Sequence, residues 1–534
     1  MKKHFLSVLS LLLIITMVLG GCGGTSSTNT PEAANTPAAA NTPAAATTPA
    51  ANTPAAATTP AAPNYKKQVV IGSESPITSL DPQTASISAH HRMSSQTMRS
   101  LCYQNEVTGE VEPSLALSWE WLDDVTIEYK LREDAYFHNG EQMKASDVLF
   151  TMERARDGAA TASTTGLITA IEAPDDFTVR MTLKAPNLDW NYQMARRPYS
   201  ILSEKAVTED PVDGVKIGTG PYYVEEWVLN DYVLLKRFDN YYGGATATEE
   251  IKIRYIPEAS ARVIALQNGE IDLAYNVSGI EAEHVKNDPN CELITFDTML
   301  EFYLGFNCKK EKGANELLRQ ACAMAINRED IIIGAKEGFA APATIWWGFD
   351  TYAFNPDTVT YQYDLEKAKA LMVEAGYAGG VDLSLTLTGA DGVAIGQILQ
   401  SQLKAIGVNL IINEVDGAAI HSETTEGLHE ALIWRRSHGF SADSVRDNIY
   451  SGRSSNRAHY SNPVVDKLFD DAMSEFDVDK RLSMYHEIQQ ILADEIPLIP
   501  LYYSQEHIGV NKNIGGIQIV SDVVDLCDIF VTEN

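Results

Sequence analysis

Between Gly23 and Pro63 the chain carries one charged side chain, Glu32, and no large apolar one; it repeats Asn/Thr-Pro-Ala instead. Such a segment cannot bury enough surface to offset the entropy of ordering it. A proline every few residues stiffens it toward polyproline II, at about 3 Å per residue, so the sequence predicts a spacer reaching on the order of 100 Å. Its threonines are candidate O-glycan carriers. The packed fold is therefore expected to begin near Tyr65. Roughly 470 residues remain beyond that point, more than one core usually spans, so two or more lobes are expected.

Ahead of the spacer, Met1-Lys2-Lys3-His4 is a short basic start and Phe5 to Leu19 is nearly all apolar. This is the pattern of a secretory signal, too short and wrongly flanked for a membrane span. Leu19-Gly20-Gly21-Cys22 resembles a bacterial lipobox, with Gly20 a less usual residue at its position. The resemblance implies a signal peptide over 1–21, cleavage before Cys22, and acylation of its sulfur. Stable anchoring takes two acyl signals, and lipoprotein cysteines carry such a pair. The expected location is extracytoplasmic, tethered to the cell membrane by lipidated Cys22 and the 22–64 spacer.

Lys and Arg number 41 against 72 Asp and Glu, a formal charge of -31. That argues against nucleic acid and against a polybasic membrane clamp as partners. Five cysteines follow Cys22, at 102, 291, 308, 322 and 527. The number is odd and no C-x-x-C pair exists, which argues against a structural zinc site.

Period-two alternation predicts strands at Gln68–Gly72, Thr126–Leu131 and Thr178–Leu183, and a hairpin over Tyr223–Trp227 and Tyr232–Phe238 around Asn230-Asp231. Helices become clear after residue 314: Leu317, Leu318, Ala321 and Ala325 share one face, Asn327 caps a second helix, and Asp364 caps a third that Gly376 ends. A strand at Val381–Thr388, a helix from about Ala394 to Ala405 and a strand at Val408–Val415 form a βαβ unit with a parallel pair. A last helix is expected over about 479–494, followed by an extended exit through Leu498–Tyr503 that Pro497 and Pro500 impose. The fold class is α/β, with the first lobe richer in strands.

No catalytic signature is present: there is no G-x-x-x-x-G-K-[ST], H-E-x-x-H or G-x-S-x-G. Gly218-Thr219-Gly220 is followed by Pro221-Tyr222-Tyr223 where a dinucleotide-binding helix would open, and Asp443 spoils the faint nucleophile elbow at 439–443. The chain reads as a non-enzyme with neither cofactor nor metal. His90-His91 has no helical partner or acidic ligand nearby and reads as a surface turn.

A series of short stretches stands in a fixed order: Ser79-Leu80-Asp81-Pro82; Pro113-Ser-Leu-Ala-Leu-Ser-Trp119; Leu131-Arg132 with Phe137-His138-Asn139-Gly140 and Ala145-Ser146-Asp147-Val148; Gly218-Thr-Gly-Pro-Tyr222; Ala265-Leu266-Gln267-Asn268-Gly269-Glu270-Ile271-Asp272; Ala325-Ile326-Asn327-Arg328; and Tyr363-Asp364 through Gly376-Tyr377. In this order they resemble the family 5 (cluster C) extracellular solute-binding proteins of ABC importers, the group of the oligopeptide- and dipeptide-binding lipoproteins. The resemblance implies a two-lobed periplasmic-binding-protein-like fold (type II, cluster C) with an extra subdomain in lobe I. Lobe I would span 65–300 plus 500–534, with the extra subdomain at about 109–216, and lobe II 301–499. The partners implied are an ABC permease and its ATPase. The implied ligand is a peptide held between the lobes by a monomer. Other members of the fold take oligosaccharide or nickel. A surface-anchored sensor or adhesion protein is the alternative of another class.

In peptide-binding members an Asp after an aromatic-x-small triplet receives the peptide's α-ammonium group. Phe440-Ser441-Ala442-Asp443 is similar to that pattern, with Phe in place of the usual Trp. A buried cation needs an ionised partner, and Asp443 would supply charge-assisted hydrogen bonds; a solvated loop carboxylate is the alternative. The peptide backbone would then pair with main chain near Gly439–Ser441 and near Ser86–Ser88. Trp434 precedes Arg435-Arg436, and alternation turns only one of these arginines inward, where Arg436 would clamp a ligand carboxylate. Trp346-Trp347 and Tyr502-Tyr503 are candidate aromatics of the cleft, with core positions the alternative. The stretch after Asp443 is shorter than in peptide binders and keeps only Asp447-Asn448 of their motif.

Overall fold

A computed structural model describes residues 65–533, apart from 85–87, 106–109, 159–160, 278, 350, 440 and 521–522. The expected signal peptide at 1–21, Cys22 and the expected spacer through 64 lie outside the described residues. The first strand, β1 (Gln68–Ser73), is the one that the alternation predicts. Helix α1 (Ser88–Thr97) follows and carries the histidine pair. The surface turn expected at His90-His91 is thus corrected: His90 is buried in a helix, and burial lowers both imidazoles to about 4. The Ala-His-His-Arg-Met run has no turn-forming residue to break the helix.

Four antiparallel strands come next as a separate sheet: β2 (Ala116–Trp121), β3 (Thr126–Leu131), and, beyond helix α2 (Ala145–Ala155), β4 (Ile168–Asp175) and β5 (Thr178–Leu183). Their order is β2-β3-β5-β4. Tyr129, Phe137, Met152 and Trp190 fill the core between this sheet and the helices beside it, Trp190 from α3 (Trp190–Met194).

The other sheet is large. Its strands are β1, the hairpin β6 (Tyr222–Val228) and β7 (Tyr232–Arg237), β8 (Glu250–Tyr255), β9 (Leu273–Ala274) and the long β10 (Cys291–Phe306). Helices α4 (Glu316–Ala325) and α5 (Arg328–Lys336) lead to β11 (Ala340–Pro342), and α6 (Leu365–Glu374) leads to β12 (Val381–Leu387). Helix α7 (Gly389–Lys404) joins β12 to β13 (Val408–Glu414), and the two strands pair in parallel as expected. The chain then passes through β14 (Ala431–Ser437), α8 (Asp443–Ile449), α9 (Pro463–Ala472) and α10 (Val478–Glu495) into β15 (Leu498–Asn511). The sheet order is β13-β12-β14-β10-β15-β9-β1-β8-β7-β6, with β11 also on β15. The expected caps hold: Asn327 accepts from the Glu329 amide and Asp364 from the Lys367 amide. Helix α7 starts five residues before the expected Ala394, despite glycines at 389, 392 and 396. A Cβ on Gly396 would come within 2.5 Å of Leu387 Cδ2, so close packing onto β12 selects glycine and overrides its low helix propensity.

Strands β10 and β15 bind the sheet together. They pair antiparallel from Cys291↔Asn511 to Gly305↔Leu498, with register shifts between Asp297 and Glu301 and between Phe302 and Tyr303. Pro500 stands opposite Tyr303 at the second shift, where the ladder is already broken and its missing N–H leaves no further gap. Separate cores flank the two stretches. Val69, Ile71, Tyr222, Leu235 and Ile508 pack at one end. At the other, Leu304, Leu385, Leu399 and Tyr502 pack on one face, and Tyr303, Trp347, Phe469 and Tyr485 on the opposite face. The five described cysteines are free thiols.

Candidate functional site

The site grows from strand alternation at the middle of the sheet. In β14, Ala431, Leu432 and Ile433 are buried, after which Trp434 and Arg436 are half-buried and Arg435 is exposed. Cross-strand partners in an antiparallel pair share a face. Arg436 stands opposite Glu301 of β10, and Glu301 opposite Tyr503 of β15. One row therefore holds Arg436, Glu301 and Tyr503, and the next, on the other face, holds Arg435, Phe302 and Tyr502. Tyr502 stacks on Phe302 at 4.9 Å between centroids and belongs to the apolar core there. It is removed from the candidate cleft set: side chains one residue apart on a strand cannot face the same way.

His438 continues β14 past its end, its amide donating to the Met299 carbonyl at 2.9 Å. Its Nε2 meets Glu301 Oε2, and both side chains are wholly buried. Burial drives the Glu301 carboxyl well above its usual range, against the pull of Arg328. Burial likewise lowers the His438 imidazole to about 3 and the Arg328 guanidinium to about 10. Both shifts favour the uncharged forms, in which a protonated Glu301 would donate to His438.

Residues 345–349, with Thr351 and Tyr352, lie across this row. The Trp346 ring meets His438 edge-on at 4.8 Å and Tyr303 at 4.6 Å. Gly348 packs against Met299, and a Cβ there would fall 2.8 Å from His438 Cβ, so only glycine lets the segment lie this close. The Tyr503 hydroxyl donates to the Trp347 carbonyl at 2.8 Å, and Thr351 Oγ1 donates to the Gly439 carbonyl at 3.2 Å. Trp346 and Tyr503 are thus buried beside the site.

The Arg436 guanidinium donates to Asn448 Oδ1 at 3.1 Å. Burial lowers its proton affinity; Asp447 raises it and Arg196, on the turn after α3, lowers it further. Trp434 lies under the Arg457 guanidinium at 4.7 Å. Ser441 is buried, and its hydroxyl donates to Asp189 Oδ2 at 2.7 Å. Asp443 is the first residue of α8; its side chain, that of Ser88, and the residues Phe440 and Ser86 lie outside the described residues. The fold therefore gathers Gly439, Ser441, the Asp443 backbone, Arg436, Tyr503 and Trp346 around the end of β14. Among the described residues no group of three or more His, Cys, Asp or Glu side chains is arranged to hold a metal.

Sequence reasoning missed Glu301, His438, Asp189 and Tyr352. Glu301 had a signal, as the one acid in the apolar run Met299-Leu300-Glu301-Phe302-Tyr303-Leu304. Asp189 had none, because its partners are 163 and 252 residues away in sequence.

Residues 110–457 match the family model described as bacterial extracellular solute-binding proteins, family 5, middle region. The chain is 28% identical over 479 residues to the glutathione-binding protein GsiB of Shigella dysenteriae, covering 85% of this chain and 93% of that protein. Its fold superimposes on HbpA2 from Haemophilus parasuis with a TM-score of 0.81 at 22% identity, covering 87% of this chain and all of that one. The periplasmic binding protein DppA of Helicobacter pylori, in complex with the peptide STSA, superimposes with a TM-score of 0.71 at 25% identity, covering 88% of this chain and 99% of that one. The large sheet with its separate cores is the two-lobed fold of these proteins.

Proposed function

This chain belongs to the bacterial extracellular solute-binding proteins of family 5, and we propose on that basis that it captures short peptides between its lobes and delivers them to an ABC permease and its ATPase. In this reading lobe I comprises 65–300 and 500–534, with the subdomain at 109–216, and lobe II comprises 301–499. Cys22 carries the lipid anchor, and the spacer to residue 64 lets a monomeric binding domain search near the membrane.

One observation carries the peptide reading. Arg436 rises from the same sheet row as Glu301, and Gly439, Ser441 and Asp443 follow it within seven residues of sequence. A cation and a carboxylate at opposite ends of a short main-chain segment complement a zwitterionic peptide. Asp443 takes the α-ammonium group and Arg436 a carboxylate, while main chain at 439–441 and 86–88 pairs with the peptide backbone. The names of relatives agree with this chemistry: GsiB is called glutathione-binding, and the DppA structure holds a tetrapeptide.

Calorimetry with glutathione and with the peptide STSA tests the reading. Binding is expected for at least one, weakened at least tenfold by Asp443→Ala. N-acetylation of STSA should mimic that loss, and C-terminal amidation should mimic Arg436→Ala. Failure of both probes, with binding of an oligosaccharide or nickel instead, refutes the peptide assignment.

A further inference from the structure

The strip from Leu188 to Tyr192 belongs to the four-stranded module, yet its contacts reach into the far end of the large sheet. Trp190 and Met194 are buried in the module core, which fixes the strip at its base. Asn187 Oδ1 accepts from the Asp189 amide at 3.0 Å and sets the direction of the turn. From there Asp189, almost wholly buried, receives two hydroxyls from distant segments: Ser441 at 2.7 Å and Tyr352 at 3.3 Å. Tyr192 stacks on Tyr352, with centroids 5.7 Å apart and planes 10° from parallel. The Leu188 amide donates to the Met473 carbonyl at 3.2 Å. Three separate segments of the second lobe thus close on five consecutive residues of the first.

We propose that Asp189 is a positioning residue for ligand capture: its carboxylate reaches across from the subdomain, takes the hydroxyls of Ser441 and Tyr352, and holds the backbone that leads from Ser441 into the helix at Asp443. Ser441 stands two residues before Asp443. Fixing its side chain fixes the backbone on which the proposed ammonium partner is mounted. The carboxylate is well suited to the task, since a hydroxyl-to-carboxylate bond is charge-assisted and a buried carboxylate stripped of its donors is costly. The contact also makes the subdomain a sensor of the second lobe's position, because its hydrogen bonds to Ser441, Tyr352 and Met473 all run between the two. The assignment deepens the peptide reading and rests on it for the word ligand; the contact itself does not.

Amide hydrogen exchange on the purified full chain without ligand tests the contact. Asp189→Ala should speed exchange at least tenfold over 437–445 and 350–354 and leave the β1 to β8 region unchanged. Asp189→Asn, which keeps an acceptor, should restore most of the protection, and Ser441→Ala should reproduce the loss at 437–445. Unchanged exchange in both windows, or an equal rise across the whole chain, overturns the proposal. With glutathione and STSA as probes, Asp189→Ala should release whichever one binds about tenfold faster while the ligand-free melting temperature moves little. A normal release rate with loosened exchange overturns the positioning role. Wild-type chain that binds neither probe counts against the peptide reading alone, since the exchange data decide the contact without either.

Discussion

Glu301→Gln is the most informative single change at the site. The carboxyl is wholly buried, touches His438, and faces Arg436 and Tyr503 along its row, with Arg328 as the cation that pulls on it. Burial raises it well above 4.5 and lowers His438 to about 3. The signs of the two shifts oppose. A raised carboxyl stabilises the fold below its unfolded value and loses that contribution as pH climbs toward the folded value. A lowered imidazole does the reverse, and loses stability as pH falls from 6.5 toward 3. Between about 4.5 and 6.5 the folded pair holds one proton, and so does the unfolded pair, so the two slopes cancel. Above 6.5 only the folded pair holds a proton, and stability should fall by about 1.4 kcal/mol per pH unit until the folded value of Glu301 is passed.

Glutamine has the shape of a protonated glutamate and keeps a donor toward His438 Nε2. Glu301→Gln should therefore fold, cost no more than about 1.5 kcal/mol at pH 6, and show no decline at alkaline pH. Its deficit relative to the parent should shrink as pH rises above 6.5. Urea unfolding of both proteins from pH 5.5 to 9 measures this. If instead the pair were an ion pair, removing one charge would cost about 3–5 kcal/mol, as for other buried pairs broken on one side. A loss of that size at pH 6, or parallel curves for the two proteins above 6.5, would refute the neutral pair.

Acid should destabilise the fold through other buried histidines. His90, His429 and His507 are lowered to about 4 by burial, so their contribution is present above 6.5 and lost as pH falls toward 4, together at up to about 4 kcal/mol per pH unit. Melting curves from pH 7.5 to 4.5 should fall steeply below 6; a flat profile would mean that these rings are solvated. Tyr502→Phe should leave ligand affinity unchanged and stability within about 1 kcal/mol, because the buried hydroxyl has no hydrogen-bond partner among the described residues; a tenfold loss of affinity would return Tyr502 to the cleft. Gly348→Ala should cost about 1–3 kcal/mol, since its Cβ would press on His438 and Met299; an unaffected melting temperature would show that the 345–352 segment is free to shift.

What could be read in the sequence follows the range of the interactions involved. The βαβ unit, the caps at Asn327 and Asp364 and the 230–231 hairpin were legible because each is decided within a few residues by period, cap or turn chemistry. Helix α7 was misplaced at its start because the glycines at 389 and 392 weigh against a helix by propensity alone. The separation of Tyr502 from Tyr503 was in principle readable from alternation alone, as it was for Arg435 and Arg436. The strand carrying it looked like a short exit and proved to be a 14-residue spine of the sheet. Glu301, His438 and Asp189 were out of reach for a different reason. Each is defined by a partner more than a hundred residues away: the pairing of β10 with β14 brings Glu301 to His438, and the packing of the four-stranded module against the 441 and 352 segments brings Asp189 to its hydroxyls. The residues that set the charge and closure of this site are therefore not the ones that a ligand motif advertises. In the peptide reading proposed above, the motif at 439–443 would supply the surface of the grip, and the buried Glu301 and the Asp189 carboxyl that accepts from Ser441 would steady it.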